Sequence, residues 1–239
     1  MRVSCRVMLA GFAARETTQT PEKYKSPMLQ YHTVPVTAFQ QNCSLVWCDQ
    51  TMDAAVIDPG GDIEQIEWEV ERLGLNLKAI WITHAHIDHA GGTSELAAKY
   101  ELPIIGPHEG DQFWIDGLPQ QGAMFGFPHS EPFVPSRWLH DGDTVSIGQE
   151  TLNVRHCPGH TPGHVFFHSP QIDRAFVGDV LFAGSIGRTD FPQGNHQQLI
   201  DSIVQRLWPM GDQTIFIPGH GPESSFGRER KLNPYVSGT

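Results

Sequence analysis

The sequence predicts an α/β protein in which two β-sheets pack face to face with helices outside, a four-layer αββα sandwich. Two observations carry this. Strand, helix and strand alternate in each half of the chain, as they do in layered α/β domains. With 239 residues and ordinary apolar content, the chain can bury one sizeable core without splitting. A third observation locates the chemistry: Thr83-His84-Ala85-His86-Ile87-Asp88-His89 places three imidazoles and a carboxylate within six positions.

Taken in order, Gln30–Ala38 and Ser44–Cys48 read as strands. Asp53–Ile57 is a third, closing on the turn cluster Asp58-Pro59-Gly60-Gly61. Asp62 stands as N-cap of a helix over Ile63–Leu73, where Ile66, Val70 and Leu73 form one apolar stripe and Gly74 ends it. Asp58 serves either the turn alone or a nearby site. The apolar run Leu77–Ile82 reads as a buried strand, and Ala90-Gly91-Gly92-Thr93 as a turn into a helix carrying Leu96, Ala97 and Ala98. The histidine-rich stretch thus lies on a strand-to-helix loop, where a scaffold can aim several side chains at one point.

Leu102–Gly106 follows as a short strand and His108–Asp116 as a short helix. Residues Gly117–Pro135, with Phe125, Phe127 and Phe133, show no period and read as a long irregular loop of the kind that covers binding sites or packs on a core edge. His129 and His140 take surface or structural roles. Thr144–Ile147 and Glu150–His156 alternate as a hairpin after the Asp141-Gly142-Asp143 turn. Val165–Phe167 and Ala175–Gly178 are strands, and Phe182–Asp190 a loop. His196–Leu207 is a helix with Leu199, Ile203 and Leu207 on one face, Gln213–Ile217 is the last strand, and Ser224–Leu232 a closing turn and short helix.

The net charge of −11 argues against a nucleic-acid partner, which needs a basic face. No apolar segment approaches the length of a membrane span, so no membrane partner is expected. Cys5, Cys43, Cys48 and Cys157 form no CxxC pair and read as reduced thiols of a cytoplasmic protein. Residues 1–27 are expected to be a disordered or misassigned extension, and 28–239 the folded domain.

Neutral imidazole and carboxylate are the ligands a borderline cation such as zinc prefers, and His84, His86, Asp88 and His89 supply both. The phrase H-x-H-x-D-H after a strand resembles the signature of the metallo-β-lactamase fold. That family draws further ligands from later strands. Matching candidates are His160 in Cys157-Pro158-Gly159-His160-Thr161-Pro162-Gly163-His164, Asp179 in Phe176-Val177-Gly178-Asp179, and His220 in Ile217-Pro218-Gly219-His220-Gly221. The resemblance covers roughly Met28 to Val236 and itself implies the αββα sandwich. It implies that His84, His86 and His160 hold one divalent ion, that Asp88, His89 and His220 hold a second, and that Asp179 bridges them. Zinc is the expected metal, with iron or manganese as alternatives. Asp58 matches a family aspartate buried near the site, and His164 a structural position.

Within the fold the chain is similar to compact bacterial glyoxalase II-like hydrolases. Pro35-Val36-Thr37-Ala38-Phe39-Gln40-Gln41-Asn42-Cys43, Asp58-Pro59-Gly60-Gly61, Gly187-Arg188-Thr189-Asp190-Phe191 and Gly219-His220-Gly221-Pro222 carry that likeness. It implies hydrolysis of a thioester such as S-lactoylglutathione by a metal-bridging hydroxide, with Asp88 as catalytic residue. Longer members grip glutathione with a C-terminal helical domain, whereas only nineteen residues follow His220 here. Arg188 either clamps a substrate carboxylate or pairs with Asp190 as scaffold. The alternatives are a persulfide dioxygenase holding one iron on His84, His160 and Asp179, and a non-catalytic binding protein on the same scaffold. A β-lactamase is disfavoured, because Asp179 stands where the dizinc lactamases resemble a cysteine ligand.

Overall fold

The computed structural model describes residues 1, 26, 28–127 and 130–238; the extension expected over 1–27 falls almost wholly outside them, as does His129. In chain order the strands of the first sheet are β1 (Leu29–Val36), β2 (Gln41–Cys48), β3 (Asp53–Ile57), β4 (Asn76–Trp81) and β5 (Ile104–Ile105), which lie side by side in that sequence. β1, β2 and β3 pair antiparallel, then β3, β4 and β5 run parallel. The second half supplies β6 (Thr144–Ile147), β7 (Glu150–His156), β8 (Val165–Ser169) and β9 (Arg174–Gly178), a small hairpin of β10 (Leu181–Phe182) and β11 (Ser185–Ile186), then β12 (Ile215–Pro218) and β13 (Ser224–Ser225). The second sheet runs β13-β12-β9-β8-β7-β6, with β9 and β12 parallel.

The helices are α1 (Ile63–Leu73), α2 (Ile87–Ala90), α3 (Thr93–Tyr100), α4 (Gln112–Asp116), α5 (Leu118–Phe125), α6 (His196–Ser202) and α7 (Phe226–Leu232). Three apolar clusters define four layers. One joins the outer face of the first sheet (Val34, Leu45, Val56, Ile80) to Ile63, Ile66 and Leu96 of α1 and α3. A second lies between the sheets, where Val46, Ala55 and Trp81 meet Val154, Phe167 and Phe176. A third joins the outer face of the second sheet (Phe166, Val177, Phe216) to Leu199 of α6, Phe226 of α7 and the turns after α6. Alternation explains this division. Neighbours such as Leu45 and Val46, or Phe166 and Phe167, point to opposite faces and enter different cores. The expected αββα sandwich is the observed one.

Two local readings are corrected. The loop expected over Gly117–Pro135 contains a helix, α5. Pro119 sits in its first turn, where a missing N–H costs nothing, and only Leu118 and Gly122 are buried, so no apolar stripe betrays it. Asp62 does precede α1, but in a left-handed conformation with no capping bond. Its carboxylate instead accepts the Thr37 N–H at 2.6 Å and ties down the β1–β2 turn. Among the described residues, Cys43, Cys48 and Cys157 are buried free thiols, and no helix is long and apolar enough to cross a membrane.

Candidate metal centre

The parallel pairs place the site. β3 and β4 end together, as do β9 and β12, and their C-terminal ends open onto one edge of the sandwich. After β4 the chain runs through Thr83 into the histidine-rich loop and α2. After β9 it turns at Gly178 (φ 49°) and presents Asp179, and after β12 it presents His220. His160 comes from the β7–β8 connection, which the Val165 N–H clamps to the Thr83 carbonyl at 2.8 Å. Gly219 is a fitted position: a Cβ there would collide with the Asp179 carboxylate and the His89 ring. That is the steric reason a glycine precedes His220.

All seven side chains expected as ligands meet here. One ligand atom from each of His84, His86 and His160 lies within 4.8 Å of the others, and the same holds for Asp88, His89 and His220. Asp179 stands between the two groups. Its Oδ2 is 3.6 Å from His160 Nε2 and 3.7 Å from His220 Nε2, and its Oδ1 is 3.3 Å from His89 Nε2. Asp88 Oδ2 is 3.1 Å from His220 Nε2. Nε2 of His84 and of His160 is buried without a hydrogen-bond partner. Buried polar atoms are rarely left so, and convergent orphaned nitrogens beside carboxylates fit a divalent cation.

Tautomers support the fit. His89 Nδ1 donates to Asp58 Oδ2 (2.9 Å), His160 Nδ1 to the Arg188 carbonyl (2.7 Å) and His220 Nδ1 to the Phe39 carbonyl (3.2 Å). The Thr83 hydroxyl donates to Asp58 Oδ2 at 2.6 Å, which turns its lone pairs to His84 Nδ1 at 3.1 Å. In its neutral form each of these rings therefore keeps its proton on Nδ1 and leaves Nε2 as a lone pair, the form a metal takes. Asp58 fixes two of the rings and also accepts the Thr83 N–H at 2.7 Å, so it serves the site and not the turn alone.

The electrostatics divide the cluster. Burial holds His84 and His86 well below the ordinary histidine range, with neighbouring imidazoles adding to the effect at His84. Burial also opposes charge on His89 and His220, but Asp179 and Asp88 outweigh it and hold both rings above that range. For Asp179, burial is outweighed by His89, His160 and His220, and its carboxyl is held well below the carboxylate range. The Asp88–Asp179 side is a buried carboxylate pair that draws positive charge, and the His84–His86 side is neutral.

Asp111, outside the ligand motifs, and His164, within the His160 motif, support the site without being ligands. Asp111 is fully buried; its carboxylate accepts the Ala85 N–H (2.9 Å), the Thr161 hydroxyl (2.9 Å) and the Gly163 N–H (2.6 Å). It ties the histidine-rich loop to the His160 loop. Burial pushes its carboxyl up to about 7 against the pull of those three donors. His164 is scaffold, as expected: Nε2 accepts the Asp179 N–H at 3.1 Å, and its ring stacks on His84 at 4.6 Å. A separate histidine group, His108, Glu109 and His140, is not organised as a centre. His108 Nδ1 accepts the Gly110 N–H at 3.0 Å, so Nε2 carries the proton and faces Glu109.

Beside the ligands opens a cavity of about 870 Å³, within the range of small-molecule sites. Arg188 lies on its wall, where Nε and Nη2 each reach the Asp190 carboxylate at 2.7 Å and the guanidinium sits 3.9 Å over the Phe191 ring.

An αββα sandwich whose strand ends gather five imidazoles and two carboxylates around buried, unpaired nitrogens has the architecture of a metal-dependent hydrolase. The chain belongs to the metallo-beta-lactamase superfamily, whose family model matches residues 36–220. It is 44% identical over 205 residues to hydroxyacylglutathione hydrolase GloC of Haemophilus influenzae, covering 85% of this chain and 96% of that protein. Among solved structures it is similar to BLEG-1 B3 metallo-beta-lactamase, with a TM-score of 0.80 and 33% identity over 87% of this chain and all of that one. It is also similar to TTHA1623 in a di-iron-bound form, with a TM-score of 0.78 and 34% identity over 86% of this chain and all of that one.

Proposed function

We infer that residues 28–239 form a metal-dependent thioester hydrolase of the cytoplasm, acting on hydroxyacyl thioesters such as S-lactoylglutathione. The observation that carries this is the complete convergence of seven donors into two groups sharing Asp179. Two divalent ions fit that set, with His84, His86 and His160 around one, Asp88, His89 and His220 around the other, and Asp179 between them. Imidazole with carboxylate favours zinc, and iron or manganese is the alternative. When bound, such ions acidify water and polarise a carbonyl. The chain supplies the rest. Asp58, Thr83 and the carbonyls of Arg188 and Phe39 orient the rings of His89, His84, His160 and His220. Asp88 borders the cavity and is placed to orient a water and take its proton.

The thioester reading draws on the GloC relative. This chain matches 96% of that protein's length at 44% identity. A single iron on His84, His160 and Asp179 would leave Asp88, His89 and His220 without a task. The test is metal analysis of protein purified without added metal, beside its rate on S-lactoylglutathione. Two metal equivalents with turnover, and loss of turnover in folded Asp88→Ala, are expected. One iron with oxygen uptake on glutathione persulfide and no hydrolysis would overturn the proposal. Because BLEG-1 carries a β-lactamase name, a β-lactam belongs in the same assay.

A further inference from the structure

We propose that the site selects thioesters carrying a bulky apolar group beside the scissile bond and does not grip a charged carrier. This rests on the thioester-hydrolase reading above and departs from it in substrate, since S-lactoylglutathione has a small polar acyl group and a charged carrier. The inner wall of the cavity is Ile87, Trp114 and Phe191, with Trp114 and Phe191 edge-on to the His86 ring at 4.5 and 5.3 Å. The mouth is Phe39, Phe113, Met124 and Phe125, all solvent-exposed, Met124 at 76%. Phe39 holds its place by stacking on Phe127 at 5.5 Å and meeting Phe125 edge-on at 6.1 Å. Large apolar side chains exposed together around one cavity mark a binding surface, whereas scattered ones mark nothing. The charged groups point the same way. Among the described lining residues the one Lys or Arg is Arg188, and two of its nitrogens are spent on Asp190. The other charged side chains on the wall besides the histidines are Asp88, Asp116 and Asp179. Glutathione carries two carboxylates, and nothing on this wall is arranged to pair them. An alkyl or aryl group, on the acyl or on the thiol side of the thioester, finds continuous contact.

The test compares thioesters of N-acetylcysteamine, which lacks the charges of glutathione, along an acetyl, hexanoyl and decanoyl series. A parallel arm pairs a short acyl group with an aromatic thiol, and S-lactoylglutathione is the reference. Burial of each methylene predicts roughly a threefold to fourfold gain in kcat/KM until the cavity is full. A rise in one arm assigns the apolar group to that side of the bond. The non-hydrolysable S-alkyl thioethers are titrated calorimetrically, giving a readout without turnover. Phe125→Lys and Phe39→Ser, at exposed positions, should each weaken decyl thioether binding severalfold, and Phe125→Lys should lower KM for S-lactoylglutathione. Flat kcat/KM and flat binding along both arms, with S-lactoylglutathione preferred, overturn the proposal. Graded thioether binding with no turnover of any thioester overturns the hydrolase reading and leaves the apolar selectivity standing.

Discussion

The floor of the cavity and its rim are built on opposite principles. On the floor four of the five rings have a fixed hydrogen-bond partner: Asp58 holds His89 and, through Thr83, His84, while the Arg188 and Phe39 carbonyls hold His160 and His220; His86 is held by the edges of Trp114 and Phe191. A shift of His84, His89 or His160 would leave a buried polar group unpaired. On the rim, Phe39, Phe113 and Phe125 are exposed and held mainly by ring contacts. The floor fixes which chemistry is available; the rim is free to decide what it is applied to. Floor substitutions should therefore lower turnover of every substrate alike, and rim substitutions should change only the ranking of substrates.

The largest effect is expected from Asp179→Ala. It removes the carboxylate between the two donor groups, 3.3 Å from His89 Nε2 and 3.7 Å from His220 Nε2. Turnover should fall to background on all thioesters, and metal content should drop below two equivalents. Retention of both metals with normal rates would mean that the two groups are independent. Asp58→Ala comes next. Its carboxylate touches no expected metal position but orients two rings, a role worth about 10–100-fold in metal affinity. A chelator titration should show that loss, and Asp58→Asn should recover part of it by accepting one of the three donors.

The contrast between floor and rim also explains what the sequence could show. His84, His86, Asp88 and His89 were legible because ligands crowded on one loop leave a compact signature. His160, Asp179 and His220 were legible only through the resemblance to the family's later motifs; a glycine precedes each, and at Gly219 it is a steric need. β3, α1, β6 and β7 were read to their observed ends because turn residues and periodicity agree there. Asp111 was invisible. It is one acid in a stretch of short helices, and its partners Ala85, Thr161 and Gly163 lie 26 to 52 positions away. α5 was hidden because it buries only two positions and turns the rest to cavity and solvent. A helix that lines a binding site need not carry a core-facing stripe.

Asp111 gives a prediction of intermediate size that is structural in origin. Asp111→Ala would strand the Ala85 and Gly163 N–H groups and the Thr161 hydroxyl in buried surroundings, at a cost of about 3 kcal/mol or more. Thermal or denaturant unfolding should show that loss directly. The His160 loop would also be freed from the histidine-rich loop, so metal affinity should weaken along with stability. Lowered stability with unchanged metal affinity would show that the Val165–Thr83 backbone bond alone holds the loops in register.

The smallest effect should come from Arg188→Ala, and its smallness is informative. This residue is where rim and floor meet. Its carbonyl holds His160 Nδ1, while its guanidinium pairs with Asp190 over Phe191. The substitution deletes the rim function and keeps the floor function, because the carbonyl belongs to the backbone. Asp190, held down to about 2 by Arg188, would then be an unpaired, exposed carboxylate next in sequence to the cavity-lining Phe191. It should further repel the carboxylates of glutathione thioesters while leaving neutral N-acetylcysteamine thioesters almost untouched. KM for S-lactoylglutathione is expected to rise less than about tenfold at unchanged kcat, the mark of lost ground-state binding and not of lost catalysis. A KM increase of about a thousandfold would instead identify Arg188 as a carboxylate clamp that abandons Asp190 when substrate enters, and would move glutathione recognition onto the rim.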